Sequence, residues 1–263
     1  MLARRVMPAE FLAWNERWKA PQGRDGRVVA DPAALSRRKA PRLGPFVFQH
    51  NSSTRAYEYP WAYHQLPVTA GARILEIGGA LSGLQFVLAG QGAHVTNVDP
   101  FVDYGGTKGA PRDPVAVHRR ICELERVEVE LVRATIDQAD LRAASYDAAC
   151  CVSTIEHLSQ DDIATVLDEV VAALKPGAPF VLTLDLFLNL TPFSDRTTNE
   201  WGTNVSVRHL VERSGLELDL GDPAELYGYE AFDHRAIQAR LEEFAIGEGY
   251  PHLAQLVVLR KSA

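Results

Sequence analysis

The run "ILEIGGALSG" at 74–83 gathers the residues best suited to chemistry. Its spacing Gly78-x-Ala80-x-x-Gly83, after an apolar strand pattern and opening a helical one, is the dinucleotide fingerprint with alanine in the middle glycine position. In that fingerprint the middle glycine lets the backbone approach a pyrophosphate, and the helix N-terminus carries the negative charge. Ala80 puts a methyl group there. Glu76 adds a carboxylate at the end of the same strand, facing the helix N-terminus that would otherwise welcome phosphate. A pyrophosphate is repelled; a ligand with an ammonium or sulfonium and no phosphate is attracted, and the carboxylate can also tie down loop N–H groups. S-adenosylmethionine is a ligand of that kind. "NVDP" then sets Asp99 at the end of the next strand, where a carboxylate accepts from both ribose hydroxyls. A dinucleotide asks for the same acid, and a turn before Pro100 also uses one.

"TIEHL" at 154–158 supplies a proton acceptor. His157 lies just past a strand, at the face where open sheets bind ligands, and histidine titrates near neutral pH. A packing or capping histidine at the start of the next helix is the competing reading. Glu156 beside it raises a divalent cation, but adjacent ligands from one short loop do not make a site, and no metal is expected. Asp185 reads either as a pocket acid or as a buried, hydrogen-bonded carboxylate. Cys150 and Cys151 alternate faces of a strand and read as small core residues.

From about residue 72, strand-like and helix-like segments alternate, the pattern of a parallel sheet with crossover helices. Strands are expected at 72–77, 94–99, 127–135, 146–153 and 179–190, then at "LELDLGD" and "LAQLVVLRKS", the last antiparallel. Helices are expected at 81–92, "PVAVHRRICELE", "SQDDIATVLDEVVAALK" and "SVRHLVERSG". Ser159 with Asp162 forms a capping box, Ile163, Val166, Leu167, Val170 and Leu174 share a face, and Lys175-Pro176-Gly177 stops the helix. Residues 1–70 differ: they are rich in proline, arginine and aromatics, lack strand alternation, and read as a helical N-terminal cap or lid over a domain at 71–263. Their aromatics read first as core, then as a pocket lining. His50, His64 and Arg55 read first as solvated, with Arg55 also able to pair with a donor carboxylate. The segments 191–204 and Tyr227, Tyr229, Phe232 and His234 are expected at the pocket rim.

Composition removes several classes. The chain has 263 residues, 46% hydrophobic and 23% charged, with net charge −7. No basic field exists for nucleic acid or an anionic membrane surface, and short runs such as Arg37-Arg38-Lys39 and Arg119-Arg120 do not change this. Three cysteines without C-x-x-C spacing give neither a disulfide framework nor a metal pair, and no apolar stretch is long enough to span a bilayer. A cytoplasmic setting is the expectation.

Taken in order, "ILEIGGALSG", "VTNVDP", "IDQADL", "YDAACCVSTIEHL" and "ALKPGAPFVLTL" resemble the successive motifs of class I S-adenosylmethionine-dependent methyltransferases. The resemblance covers about 72–190, follows the last strand loosely and omits the cap. It departs at the loop, where Ala80 and Ser82 replace glycines of E-x-G-x-G-x-G. It implies an α/β, doubly wound, Rossmann-like and mostly parallel sheet with an antiparallel C-terminal strand. It also implies that Glu76, Gly78 and Gly79 contact the methionine part, Asp99 the ribose, Asp137 with Gln138 the adenine, and Ser153 and Thr154 the methionine end. The expected activity is methylation of a small molecule, at an oxygen of a hydroxyl or carboxyl. The alternatives are an NAD(P)-dependent oxidoreductase with a modified loop and a non-catalytic S-adenosylmethionine-binding module.

Overall fold

The structure, a computed structural model, describes residues 1–24, 40–101 and 113–263. The basic run at 37–39 and the segment at 104–112, whose glycines lead to the expectation of a loop, lie outside them. Strands β1 (Arg73–Ile77), β2 (His94–Val98), β3 (Val129–Val132), β4 (Ala148–Val152), β5 (Pro179–Phe187), β6 (Glu217–Leu220) and β7 (His252–Arg260) form one sheet. Their order is β3-β2-β1-β4-β5-β7-β6. β1 to β5 are mutually parallel, and β7 runs antiparallel between β5 and β6. The helices are α1 (Ala9–Trp18), α2 (Ala40–Leu43), α3 (Arg55–Gln65), α4 (Gly83–Gly90), α5 (Pro114–Glu125), α6 (Gln160–Ala173), α7 (Val207–Ser214) and α8 (His234–Gln238).

The two-residue period of the strands divides the core. Leu75, Ile77, Ala149, Cys151, Leu182 and Leu184 face α6 and α7, while Ile74, Ala148, Cys150 and Val181 face α4 and the N-terminal helices. Each fully buried Leu, Ile or Phe there contributes about 1.5–3 kcal/mol. The expected capping box starts α6: Ser159 Oγ accepts from Asp162 N–H at 3.2 Å. Trp14, Phe46, Tyr59 and Trp61 are core, packed with Ile74, Leu84 and Val181. The opening residues also join the sheet, since Leu2 bridges Gln255 on β7 and Arg4 bridges Phe244.

Three elements are shorter than the sequence pattern. The alternation at 127–135 continues past β3, which is a half-exposed edge strand that turns where Ala134 N–H donates to Val132 O. The apolar run after β5 turns at Leu190, whose N–H donates to Phe187 O. The helix expected at 81–92 occupies only Gly83–Gly90, because residues 78–82 are a turn held by side chains. Among the described residues no helix is long and apolar enough to cross a membrane.

Candidate functional site

The carboxyl ends of β1, β2 and β4 meet around the turn at 78–82, and the backbone there is unusual. Ala80 (φ +43°), Phe101 (+55°) and Ser153 (+43°), one beyond each strand end, all lie in the left-handed region. Non-glycine residues held this way cost about 1–3 kcal/mol each and persist where surroundings over-determine them. At Ala80 the surroundings are explicit: its N–H donates to Asp99 Oδ2 (2.9 Å), and its carbonyl accepts from Asn97 Nδ2 (3.1 Å) and Gln85 Nε2 (3.1 Å). Gln85 is fixed in turn by Asn97 and by His118, whose Nε2–H donates to Gln85 Oε1 (2.9 Å). Burial lowers the pKa of His118 to about 4, so the ring is neutral, in keeping with the tautomer this bond requires.

Every loop N–H from 78 to 82 is donated to a protein acceptor. Gly78 donates to Val98 O (2.9 Å) and Ser82 to Gly79 O (2.7 Å). Gly79 donates to Asn97 Oδ1 (3.2 Å), Ala80 to Asp99 Oδ2 (2.9 Å) and Leu81 to Gln49 Oε1 (2.9 Å). Nothing in that row is left for a phosphate oxygen. The glycines answer packing: a Cβ at Gly78 would strike Thr154, one at Gly79 would strike Glu76 and Asn97, and one at Gly83 would strike the Phe46 ring. The three glycines thus have no room for a side chain, while Ala80 is buried in the cluster with Phe86 and Phe101.

Two carboxylates edge the turn. Glu76 is 1% exposed; Oε1 accepts from Ser82 Oγ (2.9 Å), while Oε2 is buried with no hydrogen-bond partner among the described residues. Burial, with a smaller contribution from Asp99, raises its pKa to about 7. Asp99 is 8% exposed and accepts from Ala80 N–H and Phe101 N–H (2.7 Å), and burial raises its pKa too. Each oxygen keeps a further lone pair. This donor-poor, acceptor-rich set fits a cationic ligand with ribose hydroxyls: the orphaned Glu76 oxygen lacks what a cation supplies, and Asp99 retains the acceptor capacity that hydroxyls need.

The other expected residues divide. Thr154 lies against Gly78, Oγ1 to carbonyl 3.4 Å. Asp137 and Gln138 are exposed on a 3-10 turn beyond β3. The Ser153 hydroxyl is committed, donating to Glu58 Oε2 of α3 at 2.7 Å, where Thr183 Oγ1 also donates. Arg55 is not solvated; it pairs with Glu58 Oε1 (2.6 Å) and Asp185 Oδ1 (3.5 Å). Burial works against ionised Glu58, but Arg55 and the hydroxyls lower its pKa. Asp185 is the buried, hydrogen-bonded carboxylate, accepting from Tyr250 O–H at 2.9 Å. Glu156 is fully buried, and burial, with Asp185 beside it, pushes its pKa well up. His157 is exposed on a 3-10 turn, its Nδ1–H donated to Trp201 O, so Nε2 carries the lone pair. His50 is exposed, and His64 is exposed and stacks on Phe11. Sequence reasoning missed Gln49, Gln85, Asn97 and His118, whose polar side chains sit in otherwise apolar helix and strand patterns; that mismatch was their only signal.

A methyltransferase-domain family model matches residues 111–177. The ubiquinone biosynthesis O-methyltransferase of Methylocella silvestris is 30% identical over 153 residues, 54% of this chain and 55% of that one. The chain thus spans about half the length of that curated relative. Among solved structures, the [4+2]-cyclase SpnF aligns with TM-score 0.56 at 14% identity, covering 81% of this chain and 84% of that one. A putative methyltransferase from Bacillus halodurans aligns at 0.52 and 12% identity (78% and 99%). An S-adenosylmethionine-dependent methyltransferase from Mesorhizobium loti aligns at 0.51 and 18% (78% and 97%). At these identities the structural likeness speaks for the fold alone.

Proposed function

We propose that the chain is a class I S-adenosylmethionine-dependent methyltransferase, a reading that the methyltransferase-domain match and the 30% identical relative support, and that it methylates an oxygen of a small molecule. The observation that carries the reading is the turn at 78–82, with its N–H groups spent on protein acceptors and two buried carboxylates beside it. Such a turn disfavours a pyrophosphate and suits a sulfonium nucleoside, which speaks against the dinucleotide alternative.

When bound, S-adenosylmethionine supplies a methyl carbon activated by the sulfonium. Glu76, Gly78, Gly79 and Thr154 hold its methionine part, with Ser153 contributing through the strand end it fixes. Asp99 accepts from the ribose, and Asp137 with Gln138 borders the adenine. His157 takes the acceptor's proton on Nε2, its tautomer set by the bond from Nδ1–H to Trp201 O. The O-methyltransferase relative supports an oxygen acceptor. The net charge of −7 supports a small molecule over nucleic acid.

SpnF, named a cyclase, shares the fold, so methyl transfer itself needs a direct test. Incubation with methyl-labelled S-adenosylmethionine and a panel of hydroxylated small molecules should put label into an extractable product. Donor binding with no label transferred to any member would favour the non-catalytic module.

A further inference from the structure

A column of parallel rings rises from the buried acid cluster beside the site to the surface. His252 is fully buried, and its Nε2 meets Thr54 Oγ1 at 3.1 Å. Tyr250 stacks on it, centroids 4.4 Å apart at 26°, with its hydroxyl fixed on Asp185. Trp201 stacks on Tyr250 at 4.7 Å and 19°, yet it is 44% exposed. Large aromatics at a surface usually turn an edge outward or fold onto aliphatic neighbours; here one face is covered by a ring whose position is set from below.

The loop carrying Trp201 is equally fixed. Asn199 Oδ1 accepts from Trp201 N–H (2.8 Å) and Gly202 N–H (3.0 Å), and Thr203 N–H donates to Glu156 O (3.0 Å). Gly202, at φ +143°, lies so close to the Glu156 carbonyl that no Cβ fits. Trp201 is thereby held beside His157, which its own carbonyl orients. A rigid stacked ring ending at the surface next to an oriented proton acceptor costs no ordering entropy when another flat ring adds to the column.

The geometry points to Trp201 as the acceptor platform: a planar, conjugated hydroxyl compound stacks on the exposed indole as the next ring of the column, its hydroxyl toward His157. What then happens to the bound ring rests on the methyl-transfer reading; the stacking does not.

The test uses the full chain, 15N-labelled at its indoles, titrated with 2-naphthol and with its saturated counterpart decahydro-2-naphthol, with and without S-adenosylhomocysteine. The Trp201 indole signal, assigned by its loss in W201F, should move with 2-naphthol. An aromatic pair is worth enough that 2-naphthol should bind roughly tenfold more tightly than the saturated alcohol. W201A should lose about that factor, and W201F should keep most of it. Thermal unfolding of W201A within a few degrees of the parent shows that the loss is local. Equal affinity for the two alcohols, or an unchanged 2-naphthol affinity in W201A, overturns the assignment. A chain that answers 2-naphthol in this way but ignores S-adenosylhomocysteine keeps the platform and loses the methyl-transfer reading.

Discussion

Glu76 and His157 show what single positions disclosed. Each was expected to be a functional group because it stands just where a strand pattern ends, but neither hydrogen-bond partner was expected, the Ser82 hydroxyl for Glu76 or the distant Trp201 carbonyl for His157. If His157 is the base, H157Q should lower turnover by about 10²-fold or more while S-adenosylhomocysteine affinity stays within about twofold. Steady-state rates and calorimetry check both halves, and an undiminished rate removes His157. For Glu76 the folded state favours the protonated form, with its pKa raised to about 7. Its ionisation therefore opposes folding, not at all below the unfolded value and fully above pH 7. E76Q should gain roughly 3 kcal/mol of stability at pH 8 and almost nothing at pH 4, measured by urea unfolding, while losing donor affinity. Stability gained with affinity lost would mark Glu76 as kept for binding.

Among the elements, α6 and β5 follow directly from pattern, since caps and a continuous apolar run leave little choice. Where β3 ends and the pairing of Leu2 with β7 were illegible, the first because alternation outlasts pairing at an edge, the second because so few residues carry no period. α3 falls in the segment expected to be a helical cap, and the expectation did not include its contacts with the sheet. Its Glu58 takes Arg55 and the hydroxyls of Ser153 and Thr183, joining the helix to the end of β4 and the middle of β5. E58A leaves Arg55 buried with only Asp185 at 3.5 Å. Removing one partner of a buried pair costs about 3–5 kcal/mol, so the urea midpoint should drop accordingly. A change no larger than that of an exposed pair would show that the brace is unimportant.

For the whole molecule, Glu76 and His118 act oppositely on stability. The folded pKa of His118, about 4, lies below its unfolded value, so its contribution is present above pH 6.5 and lost as pH falls toward 4. Glu76 contributes below pH 4.5 and loses that as pH rises through about 7. Across pH 4.5–6.5 the two offset each other. H118Q should remove one side, so its stability relative to the parent should fall by roughly 3 kcal/mol between pH 4 and 6.5, and unfolding at a series of pH values reads this directly. A constant difference would mean that the His118 ring is charged or solvated.

The central claim is that the chain's nucleotide turn serves a sulfonium nucleoside and not a pyrophosphate. Calorimetric titration of the full chain with S-adenosylhomocysteine and, separately, with NADH tests it most directly. S-adenosylhomocysteine should bind one to one, weakened about tenfold or more in D99A through loss of a charged acceptor, and NADH should give no binding heat. NADH binding to a chain that ignores S-adenosylhomocysteine would contradict the account.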